Sequence, residues 1–295
     1  MKKKKLTGSL LLILTAAIWG SAFVAQSAGM DYAGPFTFNG VRSLIGAAVL
    51  VPAALLFRSK TATDRRATWL GGLLCGLALF LATNLQQMGI QYTEVGKAGF
   101  ITTFYIVLVP VLSVLWGRRP GPLTWVAVLL ALGGLYCLCM QPGAVSIQRG
   151  DFYVLLCALC FAGQIMLVDK YAPRADGVLL SCIQFAVCGV LSLLTAFIVE
   201  TPDFPALFRG WVPLLYAGVL SSGVAYTLQI VGQRHLSPTV ASLLMSLESV
   251  FAVLAGWLLL RESLSGRELF GCGLMFTAVI LAQLAPEKSS RKSAA

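Results

Sequence analysis

Few residues in this chain could do chemistry, and most of them lie where polar groups are costly. Glu248 sits in the long apolar stretch from Leu236 to Leu260, eleven residues after Ser237 and thirteen before Arg261. If that stretch crosses a bilayer, its carboxylate lies near the middle, at a cost of several kcal/mol unless paired, wet or protonated. Such a group can exchange protons or bind a cation. Ala241, Met245, Glu248 and Ala252 share one helical face by spacing, while Ser242, Ser246 and Ser249 make a neighbouring face of small residues suited to close helix packing. Glu248 therefore points toward a cavity, the alternative being a structural carboxylate that ties two helices together. Arg42 is the single basic residue within an apolar stretch, seven residues past Pro35. It either snorkels outward, caps a helix end or pairs with Glu248, although the two differ in depth.

Two polar stripes accompany these charges. Asn84, Gln87 and Gln91 recur at i, i+3, i+7; Ser222, Tyr226, Gln229 and Gln233 recur at i, i+4, i+7, i+11. Amides facing lipid are expensive, so both stripes are expected to face inward, either to hydrogen-bond a substrate or to bond other helices. Trp19, Tyr105 and Gln164 are weaker candidates, because aromatic residues in a span more often serve packing.

What must position them follows from composition. Charged residues are 12% and apolar residues 58% of 295, and the mean hydropathy is +0.83. A soluble chain would carry about a quarter charged residues. Uncharged runs cover 6–30, 67–93, 98–117, 120–148, 152–168, 177–199, 210–233 and 269–286; 32–57 is broken once by Arg42 and 236–260 once by Glu248. The shortest are 152–168 and 269–286. A spanning helix needs about 20 residues, so ten spans are expected. Stretches such as Leu254–Leu260 do not alternate as barrel strands would. The fold class is an all-α polytopic membrane protein in contact with the lipid bilayer.

The net charge of +10 comes from Lys and Arg in short loops, not from a basic stripe with interleaved aromatics, so no nucleic-acid partner is expected. With the Lys2–Lys5 tail placed inside and sides alternating, 16 of the 22 basic residues fall inside. Only Lys97, Arg149, Arg209, Arg261 and Arg267 fall outside, and Arg42 lies within a span. Both termini are then cytoplasmic. The N-terminal run is too long for a signal-peptide core. All eight cysteines fall inside spans, and the Cys157/Cys160 pair has no second pair to make a metal site. No metal or cofactor is expected.

The chain nearly repeats itself at a spacing of about 142. Trp69 matches Trp211, Gly76 matches Gly218, Gln87 matches Gln229 and Gln91 matches Gln233. Each half, residues 6–141 and 149–285, holds five spans. Five is odd, so the second half enters from the opposite face, the arrangement secondary transporters use to build one site between two halves.

Residues 16–23 read Ala-Ala-Ile-Trp-Gly-Ser-Ala-Phe, and Leu243 to Glu262 reads LLMSLESVFAVLAGWLLLRE. With Arg42 in the second span, these resemble the drug/metabolite transporter superfamily, in particular its ten-helix EamA-type permeases, over nearly the whole chain. Ser249 stands where that family usually has proline. The resemblance implies export of small polar or amphiphilic metabolites, amino acids or related compounds, through a central cavity, in a bacterial cytoplasmic membrane. Glu248, Gln87, Gln229, Asn84, Tyr226, Arg42, Trp19 and Tyr105 are the candidate substrate-binding residues. A channel or a non-transporting sensor or scaffold is the alternative. An intramembrane enzyme is disfavoured: the one histidine, His235, lies in a loop, and Ser221-Ser222-Gly223 has no evident base. The oligomeric state is not set by the sequence.

Overall fold

The computed structural model describes residues 2–56, 63–93, 95–118, 120–140, 148–260 and 265–284. Arg58, Lys60, Arg119, Arg261, Glu262, Lys288, Arg291 and Lys292, and the repeat ends at 141 and 285, lie outside the described residues. Ten helical segments are long and apolar enough to cross a membrane. Spans 1 to 5 are Lys4–Gly29, Pro35–Leu56, Arg65–Ile90, Lys97–Leu115 and Pro122–Cys139. Spans 6 to 10 are Arg149–Tyr171, Gly177–Val199, Trp211–Gln233, Pro238–Ala255 and Gly266–Leu284. The chain is thus an all-α, ten-span protein.

The two shortest uncharged runs prove to be full spans because their end charges are used locally. Span 6 begins at Arg149, where a capping box links Gln148 and Asp151. Span 10 begins at Gly266, with Glu268 in its first turn. Span 4 ends at Gly117, which holds φ +77°. There Arg118 N donates to Ser113 O and Gly117 N to Val114 O, both at 2.9 Å, and only glycine adopts that backbone without strain.

Three spans are not continuous α-helices. Span 4 is interrupted at Phe104, between the helices Val95–Thr103 and Tyr105–Leu115. Span 9 is interrupted at residues 246–247, between Pro238–Met245 and Glu248–Leu260. At both points the ladder tightens to i−3 bonds: Phe104 N donates to Ile101 O at 3.1 Å, and Ser249 N to Ser246 O at 3.2 Å. Phe104 and Ser246 are 142 residues apart, the repeat spacing. Span 8 contains a π-helical stretch, Tyr216–Ala225.

Close backbone contacts recur at the same spacing. A Cβ on Gly8 (span 1) would lie 2.6 Å from Gly232 O (span 8), and one on Gly150 (span 6) 2.6 Å from Gly89 O (span 3). A Cβ on Gly218 (span 8) would meet Arg42 O (span 2) at 3.0 Å, and one on Gly76 (span 3) Gln184 O (span 7) at 2.8 Å. Each contact joins the first five spans to the last five. Ten crossings put both termini at one face; Gly8–Gly232 lies toward that face and Gly89–Gly150 toward the other.

Candidate functional site

The interruptions of spans 4 and 9 meet at Glu248. Its Oε1 accepts from the Tyr105 hydroxyl and from Thr103 Oγ1, each at 3.3 Å. Both bonds are long for O–H···O. Thr103 also donates to Gly99 O at 2.7 Å. One hydroxyl proton cannot fully serve both acceptors, so Glu248 gets the weaker share. Among the described residues no cation lies within ion-pair distance of Glu248, which is only 4% exposed. The close approach of span 1 is set by Gly20, where a Cβ would sit 2.6 Å from Glu248 O.

Glu200 shows what a fully satisfied carboxylate looks like in this fold. It accepts from Phe36 N and Thr37 N at 2.9 Å and from Thr37 Oγ1 at 2.6 Å, capping the start of span 2. Glu248 has only its two long hydroxyl bonds.

Arg42, also 4% exposed, is held from one side. Its Nε donates to Asn39 Oδ1 at 2.6 Å, and Asn39 Nδ2 donates to Thr83 O at 2.9 Å and to Asn84 Oδ1 at 3.2 Å. Asn84 in turn donates to Phe80 O and Ser192 Oγ, both at 2.8 Å. Phe38 lies 5.8 Å from the guanidinium carbon. Among the described residues Arg42 has no carboxylate partner, Glu248 included.

Both charges border one cavity, whose free space of about 40 Å³ has room for a few waters in this conformation. Trp19, Phe23, Phe161 and Tyr226 supply aromatic wall, Gln26, Gln86, Gln164 and Gln229 supply amides, and Thr102, Tyr105, Ile165, Ser221 and Met245 complete it. Trp19 packs on Tyr226 with ring centroids 4.6 Å apart. Gln229 Nε2 donates to Gln164 Oε1 at 3.1 Å. Four buried polar atoms of this wall have no protein partner: Trp19 Nε1, Gln26 Oε1, Gln164 Nε2 and Gln229 Oε1. Each costs about 1–3 kcal/mol if left unsatisfied. The wall thus offers two donors and two acceptors besides its two charges.

Seven candidates from the sequence therefore come together: Glu248, Arg42, Trp19, Tyr105, Gln164, Tyr226 and Gln229. Gln87 and Asn84 are not among the lining residues. Gln87 Nε2 donates to Gln26 O at 3.0 Å, and Asn84 serves the Arg42 network. The neighbour Gln86 lines the cavity instead, its amide donating to Thr102 Oγ1 at 3.2 Å. Gln91 also departs from the inward stripe: it is exposed and caps the end of span 3. Gln233 is buried and donates to Ile165 O at 2.7 Å, an interhelical bond. Ser242 and Ser246 turn their hydroxyls back to Thr239 O and Leu243 O. Sequence spacing missed Gln26, Gln86 and Phe161. Phe161 was visible in retrospect as the repeat counterpart of Trp19.

Comparison with known proteins adds to this geometry. The EamA-like transporter family matches residues 6–140 and 148–284. An uncharacterized transporter of Archaeoglobus fulgidus is 32% identical over 95% of this chain and 87% of its own length. An S-adenosylmethionine/S-adenosylhomocysteine transporter of Chlamydia muridarum is 27% identical over 90% of this chain and 88% of its own. A solved crystal structure superposes with a TM-score of 0.80, over 94% of this chain and 96% of that one; at 18% identity it shares the fold alone.

Proposed function

The chain belongs to the EamA-like transporter family, and from that premise we propose that it exports a small zwitterionic metabolite, an amino acid or a related amphiphile, by alternating access between its two halves. The observation that carries this reading is a pair of buried, opposite, unpaired charges on one cavity wall. A buried ion without a partner costs several kcal/mol. A substrate that brings a carboxylate to Arg42 and an ammonium to Glu248 offsets both costs at once. The aromatic walls and free amides accommodate its remainder. A relative named for S-adenosylmethionine is in keeping with this, since that molecule carries an amino-acid head.

Each half, entered from opposite faces, supplies one interrupted span to the site. Such interruptions are tolerated at membrane depth where they line a cavity. The charge bias of the loops supports a bacterial cytoplasmic membrane with both termini cytoplasmic. The outward direction follows from the resemblance to metabolite exporters.

The test compares extracellular metabolites of cells expressing the chain, its Glu248→Gln variant or an empty vector, and then the enriched compound in liposomes. Gln keeps the volume and removes the charge and the proton. The expected result is a compound with an amino-acid head that the variant transports at least about tenfold less, the value of one charge-assisted bond, with melting temperature unchanged. Full, normally pH-dependent transport by Glu248→Gln removes Glu248 from the mechanism. A lower melting temperature with unchanged transport per folded molecule makes the carboxylate structural.

A further inference from the structure

A second concavity of about 750 Å³, a shallow open groove, lies on the lipid-facing side between spans 3 and 7. Its walls are Trp69, Leu70 and Leu73 of span 3 facing Ile183 and Val187 of span 7. The walls are fixed by glycine contacts beside them. A Cβ on Gly72 would lie 2.7 Å from Ile183 Cβ, and one on Gly76 2.7 Å from Val187 Cβ. Side chains of the two helices therefore cannot slide together to fill the groove.

Arg65 and Arg66 stand at its mouth. Both are exposed, and among the described residues neither has a carboxylate within ion-pair distance. The nearby Asp64 caps the helix instead, accepting from Ala67 N at 3.1 Å. Two cations in a first turn add to the positive end of the helix dipole, so they oppose helix stability and attract an anion. The positive-inside rule accounts for cations on this face but not for their place over an apolar groove.

The repeat supplies an internal comparison. Trp69 has its counterpart in Trp211 at the other face, while Arg65 and Arg66 correspond to Leu207 and Phe208. The interfacial tryptophan is kept at both ends; the second has a single cation beside it, Arg209, in place of the arginine pair.

We propose that this groove is a specific site for an anionic phospholipid of the leaflet on the termini's side. The headgroup phosphate lies between the Arg65 and Arg66 guanidiniums, whose forked donors match phosphate oxygens. One acyl chain runs along Leu73 and Val187, with Trp69 at headgroup level. Span 3 belongs to the first half and span 7 to the second, so the lipid bridges the halves and stabilises their contact.

Purified, delipidated protein is reconstituted in nanodiscs of phosphatidylcholine with increasing phosphatidylglycerol, and both melting temperature and lipid retained in native mass spectrometry are read. Wild type should retain phosphatidylglycerol over phosphatidylcholine and melt higher with it. Arg65→Gln with Arg66→Gln should weaken that preference about 30-fold, roughly 2 kcal/mol. Lys4→Gln with Lys5→Gln removes the same charge from the same face, at the start of span 1, and should leave the preference intact. Leu73→Phe, which fills the groove and keeps the arginines, should also lose it. Equal retention of the two lipids by wild type, or equal losses in the two double variants, overturns the site. An unaltered preference in Leu73→Phe overturns the acyl-chain placement.

Discussion

Gly20→Ala tests whether the span 1–span 9 contact sets Glu248 in place. The new methyl would lie 2.6 Å from Glu248 O, 2.8 Å from Ala252 N and 2.8 Å from Phe251 Cβ. Ordinary contact begins at 3.4 Å, so span 9 must yield by about 0.8 Å. None of the three obstructing atoms is the end of a flexible side chain. The bonds from Tyr105 and Thr103 to Glu248 are 3.3 Å long. A displacement of that size turns each into no bond or a compressed one, whichever way the helix moves. Overpacking costs about 1–3 kcal/mol, partly offset by about 1 kcal/mol of helix propensity. The expected net loss is about 1 kcal/mol, with transport reduced far more than folding. Gly163→Ala in span 6 is the control, since its Cβ meets nothing within 4 Å; it should gain the propensity term and keep transport. Both variants are melted in detergent and assayed in liposomes per folded molecule. A Gly20→Ala protein as stable and active as Gly163→Ala would show that span 9 is not held by this contact.

Arg42→Gln keeps a donor for Asn39 but removes the cation, so it should weaken binding of a substrate with a free carboxylate about tenfold or more and leave a carboxyl-amidated analogue unaffected; equal loss for both compounds contradicts the assignment. Asp151→Asn removes the ion pair with Lys97 and weakens the bond from Thr93, and should cost about 1–2 kcal/mol in thermal or denaturant unfolding; an unchanged melting temperature contradicts a stabilising role for the pair. Reporter fusions after Pro173 and at the C-terminus should read cytoplasmic, and those after Asp31 and Asp203 external; an external C-terminus contradicts the proposed orientation.

The ten spans were legible because a run of about 20 apolar residues needs no tertiary information to be read. Glu248 and Arg42 were legible for the converse reason, since charge inside such a run stands out. The face of each polar side chain was less so. Assigning Gln87 and Gln229 to matching faces presumes an unbroken 3.6-residue period in both helices, but Tyr216–Ala225 of span 8 is π-helical. That stretch turns everything after it relative to span 3, so Gln229 lines the cavity while Gln87 bonds the backbone of span 1. The interruptions of spans 4 and 9 carry no glycine or proline at Phe104 or Ser246 to announce them. Only the usual family proline at position 249 hinted at one. With the helix restarting at Glu248, a proline there would occupy the first turn, where helices tolerate it, at the loss of the one bond from Ser249 N to Ser246 O. This chain keeps the interruption with Ser249.

One backbone contact recurs toward the two faces of the protein, but its flanks differ in charge. Gly8 against Gly232 and Gly150 against Gly89 are the same contact turned over. Beside Gly150, Asp151 binds Lys97 at 2.5 Å and accepts from Thr93 Oγ1 at 2.7 Å and Gln148 N at 2.9 Å. At the repeat counterparts of Asp151 and Lys97 stand Ser9 and Thr239, which cannot form an ion pair. Parting spans 3 and 4 from span 6 at the end away from the termini must therefore break the Lys97 ion pair and the Thr93 hydrogen bond, together about 1–2 kcal/mol after rehydration, while the Gln148 bond stays within the capping box of span 6. At those two counterpart positions there is no ion pair to break. If the termini are cytoplasmic, as proposed, this difference at the counterpart positions would favour an empty carrier that loads from the cytoplasm. An exporter requires that sign, and Asp151→Asn should weaken the bias as well as the fold. An importer built on the same halves would place the ion pair beside Gly8.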